Sequence, residues 1–193
     1  MTPSPKSPAD ASPRPAAPLI HLLSRWGFSW LGWRDNRRGE WWLAAQLLLI
    51  AAHLLPPWPA PGSWGYAWPL PLALGGAVLF VVGLGLALQS VLTLGASLSP
   101  LPEPMAGAVL VTGGAYRRCR HPLYQAVLLC SLGVTLALGS LLHLALGLGL
   151  GGVLGGKARR EERALLAVHP DYGRYREVTP AIIPGLPWLD WRA

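Results

Sequence analysis

The sequence predicts an all-α, polytopic transmembrane protein with about four spans, a tight C-terminal helical hairpin and a cytoplasmic C-terminal segment. The chain has 193 residues, of which 52% are hydrophobic and only 13% are charged, against about 25% charged residues in ordinary soluble domains. Two long stretches, 41–102 and 121–156, contain no Lys, Arg, Asp or Glu. The basic residues cluster at the ends of these stretches, which is the pattern that orients membrane helices. We therefore exclude nucleic acid as a partner despite the net charge of +7.

The N-terminal region divides into two segments ahead of the membrane domain, which we assign to 41–193. Residues 1–18 are rich in Pro, Ala and Ser and have no apolar run, so they predict a disordered tail. Residues 19–40 mix Trp, Leu and Arg without reaching spanning length. This mixture predicts an amphipathic segment that lies in the membrane interface on the cytoplasmic side.

The first two spans are predicted at 41–55 and 70–94. The first begins at Trp41 and ends before Pro56 and Pro57, because proline breaks a helix. Its 15 residues are few for a hydrocarbon core about 30 Å thick. The second span has prolines at its start, where a missing N–H costs nothing.

The stretch 124–156 predicts a helical hairpin. As one helix it would be about 50 Å long, which is too long for one span and slightly short for two. Basic clusters precede the first span, follow the second span and follow this stretch. If all three clusters are cytoplasmic, the stretch must cross the membrane and return. We therefore predict spans at 124–138 and 141–156, with a turn near Gly139-Ser140 and both termini inside.

A row of glycines marks the return helix. Gly147, Gly151 and Gly155 recur at every fourth position. Small residues at this spacing let helix backbones approach closely in lipid. The row therefore predicts a tight helix–helix contact in the hairpin.

Two polar clusters flank the predicted hairpin on the same side of the membrane. The first is YRRCRHPLY (116–124), and the second is KARREERALLAVHPDYGRYREVTPAIIP (157–184). Pro122 suits the first position of a helix, so the helix N-terminus together with Arg120 predicts an anion site. The paired glutamates across from it predict a cation site. S-adenosylmethionine carries a carboxylate, positive groups and a purine that can stack on tyrosine, so it fits such a bipolar site.

The same residues resemble a known family. The motifs TGGAYRRCRHPLY, EERALL, YGRY and IIP are similar to those of the isoprenylcysteine carboxyl methyltransferases, integral membrane enzymes related to phospholipid methyltransferases. The resemblance covers about residues 70–186. It implies a multi-span helical fold, a cytoplasm-facing pocket for S-adenosylmethionine, and a lipophilic acceptor that enters from the bilayer.

The resemblance also implies roles for individual residues. The cofactor site is expected to include Tyr116, Arg120, His121, Pro122, Tyr124, Glu161, Glu162, Tyr172 and Tyr175. Within the glutamate pair, Glu162 is expected to be the cofactor contact. Arg120 or Arg159 is expected to hold an acceptor carboxylate, so Arg120, Arg159 and Glu162 form the predicted catalytic set. No metal is expected, because a sulfonium is already activated and the sequence has no cluster of metal ligands.

The predicted function is methyl transfer from S-adenosylmethionine to a lipophilic acceptor, foremost the carboxylate of an isoprenylcysteine-like substrate. The expected partners are this acceptor, small or prenylated, and membrane lipids. The expected location is a plasma or inner membrane, with the active site facing the cytoplasm. Methylation of a phospholipid amine is one alternative. An NADPH-dependent membrane reductase is another, since sterol-reductase-like proteins share Arg-His-Pro-x-Tyr, and a noncatalytic scaffold or small transporter is a third.

Overall fold

The computed structural model describes residues 30–65, 67–104 and 107–192, and no β-strand occurs among them. The predicted tail at 1–18 and most of the predicted interfacial segment lie outside the described residues. The α-helices are α1 (Trp30–Asp35), α2 (Glu40–Ala52), α3 (Leu70–Leu94), α4 (Pro122–Leu138), α5 (Leu141–Val168) and α6 (Tyr172–Val178). Short 3-10 turns lie at Pro61–Trp64, Gly95–Ser97 and Gly114–Arg117.

Two helices are long and apolar enough to cross a membrane. They are α3 with its following turn, Leu70–Ser97, and α5, Leu141–Val168. The helices α2 and α4 are apolar but shorter. An α2 of 13 residues is about 20 Å long, so its assignment as a span stays a prediction, as does the four-span topology.

The boundaries of α2 differ slightly from the predicted span 41–55. The helix ends at Ala52, and residues 53–55 form turns ahead of Pro56-Pro57. A residue that precedes proline is pushed out of the helical region by the proline ring. The last residues of the predicted span are therefore turns.

The hairpin turn lies at Gly139-Ser140, where the sequence placed it. Gly139 has φ 59°, and a Cβ there would overlap the ring of Trp68. The Ser140 side chain accepts a hydrogen bond from the His143 N–H and caps α5. The stretch 124–156 therefore contains two helices.

The second helix of the hairpin continues beyond the predicted end at residue 156. It runs to Val168 because residues 157–168 are Ala, Arg, Glu, Leu and other residues that tolerate helical conformation. With 28 residues, α5 is about 42 Å long. Its last turns therefore carry the glutamate pair past the apolar segment.

The closest helix–helix packing joins α3 and α4. A Cβ at Gly76 would lie 2.5 Å from the Gly133 carbonyl oxygen, and one at Gly83 would lie 2.6 Å from Cys130 Sγ. A Cβ at Gly133 would in turn lie 2.7 Å from the Gly76 carbonyl oxygen. No side chain larger than hydrogen fits at these positions without moving backbone.

The glycine row of α5 does not make the continuous tight contact that the sequence predicted. Gly147 does meet α4, since a Cβ there would lie 2.7 Å from Ser131 Oγ. A Cβ at Gly151 would reach only Leu128 at 3.9 Å, and one at Gly152 would meet nothing within 4 Å. A Cβ at Gly155 would lie 3.3 Å from Leu189 Cδ2, so beyond Gly147 the row meets side chains of α4 and of the C-terminal segment and no helix backbone.

The chain after α6 folds back across the start of α4. Arg120 N–H donates to the Pro180 carbonyl at 2.9 Å, and His121 N–H donates to the Ala181 carbonyl at 3.0 Å. The Cys119 thiol donates to the same Ala181 oxygen at 3.0 Å, and burial raises the pKa of this thiol to about 11. The thiol therefore stays neutral and acts as a donor. These bonds fix the C-terminal segment beside the predicted site.

Candidate functional site

The hairpin brings the two polar clusters into contact, with Arg120 as the central donor. Its Nε lies 2.8 Å from Glu162 Oε1, and its Nη2 lies 3.3 Å from Glu162 Oε2. Nη1 donates to the carbonyls of Arg176 and Thr179, and Nη2 also donates to the Trp191 carbonyl at 2.5 Å. A guanidinium has five N–H groups, and all five have an acceptor here.

The Glu162 carboxylate likewise has all of its hydrogen-bond acceptor sites occupied. Its Oε1 accepts from Arg120 and from His121 Nε2 at 2.9 Å. Its Oε2 accepts from Arg120 and from the indole N–H of Trp191 at 2.7 Å. A carboxylate accepts about four hydrogen bonds, so Glu162 has no acceptor site left. His121 must carry its proton on Nε2, because a carboxylate cannot donate.

The geometry thus differs from the expected bipolar site. Arg120 and Glu162 were expected at opposite ends of a ligand, but they pair with each other. Their side chains are 0% and 3% exposed. In the structure both are components of a buried hydrogen-bond cluster that also contains Trp191, and we refer to these three residues as the buried cluster.

Glu161 is the member of the glutamate pair that lines a cavity. Its Oε2 accepts from the Tyr124 hydroxyl at 2.8 Å and lies 3.9 Å from His121 Nδ1. Its side chain is 28% exposed. The rings of His121 and Tyr124 are stacked, with centroids 5.3 Å apart and planes 3° apart. The Lys157 ammonium lies 5.2 Å from the Tyr124 ring centroid. Glu161 therefore has a fixed hydroxyl partner and an accessible carboxylate.

Three tyrosines form another wall of this cavity. Tyr116 and Tyr172 are buried, and the Tyr175 hydroxyl donates to the Tyr116 carbonyl. The rings of Tyr172 and Tyr175 meet edge to face with centroids 5.9 Å apart. Burial raises the pKa of all three phenols above its ordinary value, so they stay protonated. The Tyr172 hydroxyl is buried without a hydrogen-bond partner among the described residues, so it is free to donate to a ligand.

The cavity lies between these polar and aromatic side chains and the connection from α3 to α4. Residues within 97–104 and 108–111 form the opposite wall. Glu103 of this wall lies 3.8 Å from Arg38 Nε and 4.0 Å from Arg160 Nη2. The cavity volume is about 80 Å³. Small-molecule sites usually measure about 300–1,000 Å³, so a nucleoside enters only when one wall moves.

An apolar groove lies beside Arg159. Its volume is about 1,000 Å³. It runs along the glycine row of α5 and is lined further by α4 and by residues 183–189. Arg159 is the one charged residue among the described residues that line it. An apolar channel that ends at a guanidinium suits an amphiphile with an anionic head.

The sequence-predicted site residues therefore fall into three groups. Those that line the cavity are Tyr116, Arg120, His121, Glu161, Tyr172 and Tyr175. Glu162, Pro122 and Tyr124 support this wall from behind, with Pro122 buried at the first position of α4. Arg159 lies at the groove instead. Arg117 and Arg118 are exposed.

Sequence reasoning missed two residues of the site. Trp191 contacts Glu162 although 29 positions separate them, and the only sequence signal is an aromatic residue soon after the IIP motif. Lys157 was grouped with the basic anchors, but its side chain is buried and donates to Gln46 Oε1 at 2.7 Å. A glutamine inside a predicted span was the available signal for this pair.

The described residues contain no cluster of metal ligands. Among the described residues, no group of three or more His, Cys, Asp or Glu side chains is placed to hold a metal ion. The cavity's donors are a carboxylate, a histidine and phenols. They suit an organic ligand with polar and aromatic parts.

Comparisons with known proteins agree with the sequence motifs. A family model described as phospholipid methyltransferase matches residues 72–167, which extend from α3 almost to the end of α5. The chain is also 40% identical over 82 residues to the cobalt-zinc-cadmium resistance protein CzcN of Cupriavidus metallidurans. That alignment covers 40% of this chain and 36% of the relative, so the chain spans about a third of that protein.

Proposed function

Because the chain belongs, through residues 72–167, to the phospholipid methyltransferase family, we propose that it is an integral membrane methyltransferase that uses S-adenosylmethionine. The proposed acceptor is a lipophilic carboxylate, such as that of an isoprenylcysteine-like molecule. The two long apolar helices support the membrane location. We further propose a multi-pass topology with the active site on the cytoplasmic side.

One observation carries this proposal: Trp191 links a residue of the polar cavity to a residue of the apolar groove. Arg120 lines the cavity, Arg159 lines the groove, and Trp191 contacts both. A methyltransferase with a lipid acceptor needs these two sites, one polar and aromatic and one apolar, with their ends side by side. Alignment of the two substrates is the main task of such an enzyme.

The residues that line the cavity fit the chemistry of S-adenosylmethionine. Its sulfonium supplies an activated methyl group. We assign the Glu161 carboxylate to the cofactor's positive groups, because Glu162 has no free acceptor site. The tyrosine rings offer faces for the purine, and the unpartnered Tyr172 hydroxyl offers a donor.

The cavity has to widen for this cofactor, and we assign the movement to the wall within 97–104 and 108–111. The opposite wall is held by the hydrogen bonds of Arg120 and Glu162. The moving wall is joined to the rest of the protein at Glu103 by two long, partly exposed ion pairs. Exposed ion pairs contribute little stability, typically about 0–1 kcal/mol. Leu101 and Pro102 of this wall are buried, whereas Val109 is 73% exposed, so the part of the wall at 108–111 is the one that opens.

The groove supports a carboxylate as the acceptor group. Arg159 is placed to pair with an anion at the end of the apolar channel, and a guanidinium matches the two oxygens of a carboxylate. A carboxylate is ionised at neutral pH, so its oxygen can attack the methyl carbon without a general base. A protonated phospholipid amine would instead be repelled by Arg159 and would have to lose a proton first.

Two measurements on the detergent-purified protein test the proposal. The first is equilibrium binding of labelled S-adenosylmethionine and, separately, of NADPH. We expect S-adenosylmethionine to bind saturably and NADPH not to bind. The second is transfer of the labelled methyl group to an S-prenylated cysteine and to phosphatidylethanolamine, and we expect transfer to the first. Binding of NADPH alone would overturn the proposal in favour of a reductase. Transfer to the amine alone would replace the acceptor class.

A further inference from the structure

The indole of Trp191 is fixed on the side of the cofactor cavity. Its N–H donates to Glu162 Oε2 at 2.7 Å, and its carbonyl accepts from Arg120 Nη2 at 2.5 Å. Its ring also packs against the buried core that contains Leu154 and Ala158 of α5. Polar and apolar contacts together therefore hold the ring in one orientation.

Arg159 packs on the same ring. The guanidinium carbon of Arg159 lies 4.2 Å from the Trp191 ring centroid, and its Nη2 donates to the Trp188 carbonyl at 2.9 Å. A Cβ at Gly155 would lie 3.4 Å from Arg159 Nη1. The guanidinium thus passes over a residue without a side chain, and the ring, the carbonyl and the glycine orient it toward the groove.

We propose that Trp191 is a positioning residue that presents Arg159 to the acceptor headgroup and ties the acceptor site to the Glu162 side of the cofactor site. This inference rests on the proposed function, because it takes the groove as the acceptor site. The ligand class is a single-chain lipid with one carboxylate. Its chain lies along the glycine row and its carboxylate meets Arg159.

The stack with Trp191 has a physical consequence for binding. An exposed arginine loses side-chain rotamer entropy when it binds an anion. A ring that holds the guanidinium beforehand removes part of this cost. Trp191 also donates a hydrogen bond to Glu162. The acceptor's carboxylate, when it pairs with Arg159, is therefore held at a set position relative to the wall of the cofactor cavity. Removal of the ring should therefore weaken acceptor binding even though Arg159 remains.

The test measures equilibrium binding of an S-prenylated cysteine to the purified full-length protein without cofactor. Trp191→Leu removes the ring, and we expect binding about tenfold weaker, within the range of a cation–π contact. Trp191→Phe keeps an aromatic face but loses the N–H, and we expect binding within about threefold of the parent protein. Arg159→Gln should also weaken binding about tenfold. Arg163→Gln, at an exposed arginine outside the groove, is the matched control and should change nothing.

The double variant separates positioning from general structure. If Trp191 acts through Arg159, Trp191→Leu combined with Arg159→Gln should bind about as weakly as either single variant. Losses that multiply to about a hundredfold would overturn the inference, because independent effects add in free energy. Unchanged binding in Trp191→Leu would overturn it as well. If Trp191→Leu does not fold, Trp191→Met replaces it and is judged by the same result.

The binding test does not depend on catalysis, so the two proposals fail separately. A parent protein that binds the prenylated cysteine with this pattern of variants but transfers no methyl group refutes the proposed function alone. Methyl transfer by the parent protein, with unchanged acceptor binding in Trp191→Leu, refutes the positioning role alone. Equal effects of Arg159→Gln and Arg163→Gln refute the anion site at the groove.

Discussion

The Nε atom of Arg120 lies 2.8 Å from Oε1 of Glu162, and both side chains are shielded from solvent. Forty-two positions separate the two residues, so this pair closes the hairpin at the end that carries the polar clusters. The guanidinium also binds three carbonyl oxygens of the C-terminal chain. The pair thus joins the start of α4, the end of α5 and the C-terminal segment.

The first prediction is that Glu162→Gln destabilises the protein as a whole. The amide keeps the size of the carboxylate but leaves the buried charge of Arg120 without a counter-ion. Loss of one partner of a buried ion pair typically costs about 3–5 kcal/mol. The detergent-solubilised variant should therefore melt several degrees below the parent protein. Glu177→Gln, at an exposed position on α6, should melt like the parent, and equal melting of the two variants would refute a structural role for the pair.

The second prediction concerns the other glutamate. Glu161→Gln should weaken S-adenosylmethionine binding at least tenfold, or about 1.4 kcal/mol, because it removes the cavity's accessible carboxylate. Its melting temperature should change little, since Glu161 has one hydrogen-bond partner among the described residues. Cofactor affinity and melting temperature are measured on the same preparation, with Glu177→Gln again as control. Parent-like affinity in a folded Glu161→Gln protein would exclude this carboxylate from cofactor binding.

Much of the helical layout follows from the sequence. The charge-free stretches and their flanking prolines placed a helix at 70–94, and α3 has these bounds. Gly139 and Ser140 marked the turn because a left-handed glycine and a capping serine end one helix and begin the next. The charge pattern further implied that the two polar clusters meet. Such features are local or periodic, so a single sequence displays them.

The pairing inside the site did not follow from the sequence. Motifs indicated that Arg120 and Glu162 belong together, but not that they bind each other and leave Glu161 at the cavity. That outcome depends on Trp191 and on carbonyl oxygens of the C-terminal segment, which reach the guanidinium from 56 and more positions away. The groove was missed for the same reason, because glycine spacing alone does not reveal whether a neighbouring helix covers it.

The third prediction is the membrane topology, which the structure leaves as a hypothesis. The three basic clusters predict that the α3–α4 connection and the C-terminus are cytoplasmic. Reporter fusions after Gly62 and Ser140 should report the side opposite to fusions after Leu101 and at the C-terminus. A C-terminal reporter on the same side as the Ser140 fusion would mean that α5 does not cross the membrane, and would refute the four-span topology.

The fourth prediction contrasts two glycines that have similar sequence contexts but different surroundings. Gly76→Leu should destabilise the protein by about 1–3 kcal/mol, because a side chain there overlaps the α4 backbone at Gly133. Gly151→Leu should leave the melting temperature unchanged, since its nearest neighbour is Leu128 at 3.9 Å and the side chain projects into the groove. The same Gly151→Leu variant should bind a prenylated cysteine at least tenfold more weakly, because the new side chain occupies the space of the acceptor's chain. The measurements are the thermal unfolding and the acceptor binding of both variants. A Gly151→Leu protein that melts early and binds normally would mean that the glycine row packs against a helix and that the acceptor lies elsewhere.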